Sequence, residues 1–267
     1  MIYDLGDMAY RAGRRADVEL QFTGPTRVQE DDLRRILNRV VRHWSENIPS
    51  IAPGGFRDAE GEDEVERTNA QGVVIAAAAV SAFWTWAERL DIWRRSQFIR
   101  VVKASVDLDV SAMAPHLIND PEFRKSAEWA VSLIRDLNED MRRRTLAVLM
   151  AGAAKGANQK EIERGLRVAV GFGQRRAKLI ARDQTQKIAE KLNELQQRAA
   201  GIDEYVWQHS FKRNPRIHHV RRQGLRFRWD KPPYDGHPGH AINCRCRASA
   251  LLKVKTRREV YLNADAG

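Results

Sequence analysis

Cysteine is almost absent. The 267 residues hold two, Cys244 and Cys246, one residue apart. Such a pair excludes a secreted disulfide framework, and a bridge between them would close a small strained ring, so a reducing compartment is expected. Long apolar runs are also missing. The most apolar stretch, Val73 to Trp86, is about 14 residues before Glu88 and Arg89 interrupt, whereas a bilayer span needs roughly 20. A buried helix is expected there, with no membrane partner. The N-terminus, Met1-Ile-Tyr-Asp-Leu-Gly-Asp, lacks the basic region and apolar run of a signal peptide. Internal repeats and low-complexity segments are absent as well. Acidic residues are in deficit: 46 Lys and Arg against 35 Asp and Glu give a net charge of +11 and a pI near 10.0. That balance points to a polyanionic partner, whether nucleic acid, an acidic protein surface or a membrane face, or else to a solubilising surface. The charge is uneven. Residues 56–66 carry Asp58, Glu60, Glu62, Asp63, Glu64 and Glu66, whereas 205–247 is dominated by Arg, Lys and His, which favours an oriented contact.

Helical periodicity dominates what is present. Residues 1–29 read as an arm with one short element. Leu33, Ile36, Leu37, Val40, Val41 and Trp44 recur at helical spacing over Glu30–Asn47, ended by Pro49. Pro53-Gly-Gly and the acidic run to Glu66 read as a loop. A long helix is predicted from about Glu66 to Val102, its Trp84, Trp86 and Trp93 serving as packing residues. Residues 105–120 read as a linker with room for one short strand, and a second long helix runs from Pro121 to Ala154. Asn158-Gln-Lys-Glu161 forms a capping box that opens a short helix to about Val170. Gly171-Phe-Gly173 breaks it, and a further helix runs from Gln174 to about Ala200, with Leu179, Ile180, Ile188, Leu192 and Leu195 on one face and Gly201 as its C-cap. After Gly201 the texture turns to strands: Glu204–His209, Leu225–Trp229 with alternating Arg226 and Arg228, and Ala241–Lys253, in which Ile242, Cys244, Cys246, Ala248 and Ala250 share a face. The expected fold is therefore mainly α, with long N-terminal and central helices and a small C-terminal α+β domain. Its segments are 1–104 (arm and helices), 105–120 (linker), 121–200 (central helices), 201–255 (small basic domain) and 256–267 (tail).

The small domain gathers both cysteines and five of the seven histidines into the 39 residues from His209 to Arg247. Thiolates from Cys244 and Cys246 with imidazoles from His219 and either His237 or His240 would make a Cys2His2 zinc set. The alternative is structural: two small core side chains on a strand, and turn histidines bonded to Asp235 or to backbone. A metal-dependent nuclease or effector-type enzyme is the competing class, but no carboxylate flanks His218 where a nuclease needs one. A deaminase zinc site would require His-x-Glu and Pro-Cys-x-x-Cys, and neither occurs. Arg221, Arg222, Arg226, Arg228, Arg245 and Arg247 form a candidate surface for phosphates or an acidic partner, extended by Arg175, Arg176 and Arg182. A charge-blunted edge strand is the plain alternative.

The order of these features resembles the phage Mu protein F-like head morphogenesis proteins, minor capsid proteins of tailed phages and prophages. The resemblance covers roughly residues 125–250. It rests on Ala181-Arg182-Asp-Gln-Thr185, Trp207, Arg216-Ile-His-His219, Gly224 with Phe227, and Pro238-Gly-His-Ala-Ile-Asn243-Cys244-Arg-Cys246, the last being the most specific. Two departures stand out: Lys212, Arg213 and Asn214 occupy positions where the family carries an Asp before Arg-x-x-His, and Gln184 replaces an acidic residue. The resemblance implies a non-enzymatic virion protein inside the capsid, assembled in the bacterial host cytoplasm and present in multiple copies. It implies contact with the portal or major capsid protein, and with packaged double-stranded DNA. Residues 1–120 lie outside it.

Overall fold

The structure, a computed structural model, describes residues 2–52, 58–211 and 213–264. It is mainly α-helical with a small antiparallel sheet, as the periodicity predicts. The elements are α1 (Leu5–Arg11), β1 (Val18–Leu20), α2 (Arg27–Glu46), α3 (Ile48–Ile51), α4 (Asp58–Val106), α5 (Pro121–Lys155), α6 (Gln159–Ala199), β2 (Glu204–Gln208), α7 (Ile217–Arg221), β3 (Arg226–Arg228), β4 (Arg247–Leu252) and α8 (Arg257–Ala264). They form two compact units, neither continuous in sequence. One comprises Met1–Pro25, Glu88–Ser126 and Gln186–Gly267, the other Thr26–Ala87 and Ala127–Thr185.

In the second unit, α2 opens with a capping box: Gln29 N–H donates to Thr26 Oγ1 at 3.4 Å, and Thr26 N–H donates to Gln29 Oε1 at 2.7 Å. The apolar stripe of α2, from Leu33 to Trp44, is buried as predicted. Its polar edges are tied down too. The Trp44 indole donates to Asn138 Oδ1 at 2.8 Å, and Asn138 Nδ2 donates to Asn69 Oδ1 at 2.9 Å. The acidic stretch read as a loop is helical from Asp58, because Asp and Glu near a helix N-terminus complement its dipole; residues 53–57 lie outside the described residues. Counted across its few polar positions, α4 holds one stretch long and apolar enough to cross a membrane by length and composition. That differs from the expectation of no membrane-length apolar stretch: Ala76, Ala79, Phe83, Trp86 and Ala87 within it are buried, whereas Val73 and Val74 are exposed, so packing accounts for only part of its apolarity.

The break expected at Gly171-Phe-Gly173 is absent, and α6 is one helix of 41 residues. Gly173 serves packing: a Cβ there would come within 2.5 Å of Met141 Sδ and 3.1 Å of Val41. The predicted box at its start is present, with Glu161 N–H donating to Asn158 Oδ1 at 3.1 Å and Asn158 N–H to Glu161 Oε2 at 2.8 Å. Leu179 is exposed, whereas Ile180, Ile188, Leu192 and Leu195 are buried. The linker after α4 contains no strand.

In the first unit, Gly201 at φ 74° ends α6, and Ile202 N–H closes back onto Gln197 O at 2.9 Å. Four antiparallel strands follow the order β1-β4-β2-β3, with Tyr205 opposite Ala250 and Phe227, and Leu20 opposite Ala250 on the other side of β4. The third strand is shorter than predicted. It begins at Arg247, so Cys244 and Cys246 precede it and Ile242 is exposed. The arm resolves into α1 and β1, and the tail into α8, opened by a Thr256–Glu259 capping box.

β1 pairs with β4 only from Ala250 to Leu252. Before Ala250, side chains of α6 bond the β4 backbone. Asn193 Nδ2 donates to Ala248 O at 2.9 Å and Gln197 Nε2 to the same oxygen at 3.3 Å. Ala248 N–H donates to Glu190 Oε2 at 3.3 Å, and Gln186 Nε2 to Cys246 O at 3.2 Å. These four side chains are buried because they satisfy backbone groups that would otherwise be orphaned.

Candidate functional site

The site is built from α7, the loop from Lys231 to Cys246, and β2. Arg216 precedes α7, and its Nη2 donates to Ile242 O at 2.9 Å, which ties the helix start to the loop. The helix directs His218 and His219 at Asp235. Asp235 Oδ2 lies 2.9 Å from His218 Nε2 and 2.8 Å from His219 Nε2, and Oδ1 accepts from Arg222 Nη1 at 2.6 Å. Burial alone would push this carboxyl up, but hydrogen bonds from His219, Arg222 and His218 outweigh it and hold the group at about 2. The loop bends through positive φ at Gly236 (91°), Gly239 (84°) and Asn243 (55°). At Gly239 a Cβ would come within 2.8 Å of Glu190 Cγ, so only glycine lets the loop lie this close to α6.

His219 is 3% exposed, with its ring edge-on to Trp207 at 5.1 Å, and the Arg222 guanidinium covers that indole at 4.9 Å. The imidazole bridges two groups. Its Nε2 meets Asp235, while its Nδ1 lies 3.4 Å from Cys244 Sγ and 3.5 Å from Cys246 Sγ. Both cysteines are free and 2% exposed. Cys246 donates toward Cys244, which pulls the Cys244 thiol down to about 5 and pushes its own up. Among the described residues, two sets of ligand-type atoms converge: His219 with Cys244 and Cys246, and His218 with His219 and Asp235.

His237 and His240, the other expected ligands, belong to neither set. His237 Nδ1 is 2.9 Å from the Tyr205 hydroxyl, and its ring packs on Trp229 at 4.9 Å. Burial lowers its affinity for a proton. His240 is exposed, with its ring against Gly236.

The candidate arginines separate by environment. Arg222 is buried and committed to Asp235. Arg221 and Arg226 are exposed. Arg228 is exposed but paired with Asp230 at 2.8 Å. Arg247 is half-buried and donates to Phe22 O at 3.3 Å, and Arg245 is half-buried. Arg175, Arg176 and Arg182 lie on the part of α6 in the other unit, where Arg175 stacks on the exposed Phe172 ring at 4.4 Å and Arg176 lies 3.9 Å from Asp140. Gly224, at φ 75°, closes the turn into β3, its N–H donating to Trp207 O at 2.9 Å.

The α6 ladder that supports this loop escaped the sequence reading. Its signal is Gln186, Glu190, Asn193 and Gln197, a polar series at helical spacing along one face of a helix otherwise chosen by its apolar residues.

Residues 144–249 match the model of the family described as Phage Mu protein F like protein. A curated protein of Haemophilus influenzae, described as an uncharacterized protein, is 26% identical over 166 residues, covering 60% of this chain and 36% of that protein. The chain thus spans about a third of the length of that relative. No solved structure matches.

Proposed function

We propose, from the premise that residues 144–249 belong to the phage Mu protein F-like family, that this chain is a minor capsid protein in head morphogenesis of a tailed phage or prophage. The family match carries the reading, because it runs from the end of α5 through α6 to β4. It therefore contains the whole His219–Asp235–cysteine cluster and the ladder behind it. Head morphogenesis, association with the virion and contact with other head proteins follow from the family. The finer reading puts the protein inside the head near the portal, in several copies, bound to portal or major capsid protein.

A structural role fits the chemistry. Cys244, Cys246 and His219 are closed to solvent, so a substrate atom would have no approach to them. Exposed Arg221 and Arg226, together with the net charge of +11, support contact with packaged DNA. Co-expression with the portal protein of the same phage tests the reading. Co-elution of the chain with portal rings supports it, and a monodisperse monomer that ignores both portal and major capsid protein counts against it.

A further inference from the structure

We propose that His219, Cys244 and Cys246 bind a zinc ion, with Asp235 as the hydrogen-bond partner that orients the imidazole. This goes beyond the head reading and does not depend on it. The argument begins with distances. Zinc–sulfur bonds of about 2.3 Å and zinc–nitrogen bonds of about 2.0–2.1 Å in a tetrahedron separate N and S by about 3.5 Å. His219 Nδ1 lies 3.4 Å from one sulfur and 3.5 Å from the other. A hydrogen bond explains only one of these contacts. With Nε2–H donated to the Asp235 carboxylate, Nδ1 keeps a single lone pair, which accepts from one thiol at most. A metal on that lone pair meets both sulfurs equally.

The surroundings agree. Cys246 N–H donates to Cys244 Sγ at 3.4 Å, and the Gly239 N–H also points at that sulfur. The Ser210 N–H and the Trp207 indole face Cys246, and the buried indole N–H has no other acceptor. Neutral thiols are weak acceptors, whereas metal-bound thiolates are strong ones. Two thiolates and one neutral imidazole cancel the charge of a divalent ion, so the buried centre has no net charge to desolvate. The Asp235–His219 pair is the carboxylate–histidine arrangement that fixes the tautomer of a metal-bound imidazole, and Arg222 and His218 fix the carboxylate in turn. A spacing of one residue puts both sulfurs on one side of the extended segment before β4. The chain supplies three donors, and a water molecule enclosed with the ion would complete the tetrahedron. The ion would pin α7 to the start of β4 within one unit.

The test uses the full chain purified under reducing conditions. Elemental analysis should find about one zinc per chain, and cobalt(II) added to the metal-stripped protein should give thiolate-to-cobalt charge-transfer bands. His237→Ala and His240→Ala should keep full stoichiometry, whereas Cys246→Ser and His219→Ala should lose it. The elemental analysis and the cobalt titration use the unmutated chain, so they decide the matter even if a variant fails to fold. Substoichiometric zinc after reconstitution, cobalt spectra without thiolate bands, a Cys244–Cys246 disulfide in the freshly purified protein, or equal loss in His237→Ala would each overturn the proposal.

Discussion

Asn193→Leu probes the α6 ladder directly, because leucine keeps the branching at Cγ and removes every polar atom. Asn193 makes three bonds: to Ala248 O at 2.9 Å, to Glu190 Oε2 at 3.2 Å, and from Gln197 Nε2 at 3.1 Å. At about 1 kcal/mol net each, with more for the bond to the buried carboxylate, the loss is about 3 kcal/mol. Ala248 O keeps its weaker bond from Gln197, so the carbonyl is not fully orphaned and the estimate does not climb further. At roughly 2–4 °C per kcal/mol for a chain of this size, Tm should fall by about 6–12 °C. Calorimetry reads that shift, and hydrogen exchange at the Ala248 amide should quicken, since the variant loosens its Glu190 acceptor. A Tm within about 2 °C of the parent, at the low end of that scale, would refute the reasoning and reduce the ladder to ordinary packing.

Gly173→Ala should destabilise the protein by about 1–3 kcal/mol, because the added methyl meets Met141 and Val41, whereas the same change in an open helix would stabilise it by about 1 kcal/mol; urea titration reads the sign. Asp91 is buried, accepts from Leu117 N–H at 3.1 Å and lies 3.4 Å from His116 Nδ1, and burial raises its pKa despite these partners. Its favourable share of stability is therefore complete below the unfolded value near 3.9 and is lost as pH rises through the higher folded one, so the Tm of Asp91→Asn relative to the parent should climb as pH rises above about 4. If duplex DNA binds, replacing exposed Arg221 and Arg226 together should flatten the salt dependence by about two phosphate equivalents, while replacing the Asp230-paired Arg228 should change it less, read by fluorescence anisotropy across a salt series.

The helices were legible because their signals are local. The α2 stripe, the Asn158–Glu161 box and the Gly201 cap each lie within a few residues of the structure they specify. Errors arose where a distant partner decides the outcome. Gly173 reads as a breaker until Met141 and Val41 are seen against it. Alternation implied a strand from Ala241, but the Asn243 turn and the α6 side chains hold that stretch out of the sheet until Arg247. The family's acidic residue before Arg216 is missing, and the carboxylate that meets His218 and His219 comes from downstream, from Asp235, as the structural alternative for the turn histidines anticipated. Composition singled out five candidate ligands, of which the structure brings His219, Cys244 and Cys246 together, a selection that spacing in the sequence does not show.

The central claim is that the chain is a component of the phage head. Mass spectrometry of gradient-purified, nuclease-treated particles from the phage or induced prophage that encodes it tests this most directly. The account predicts that the chain copurifies with the capsid at a fixed ratio to the portal protein. Its presence in the lysate but absence from intact heads and from head-assembly intermediates would contradict the account.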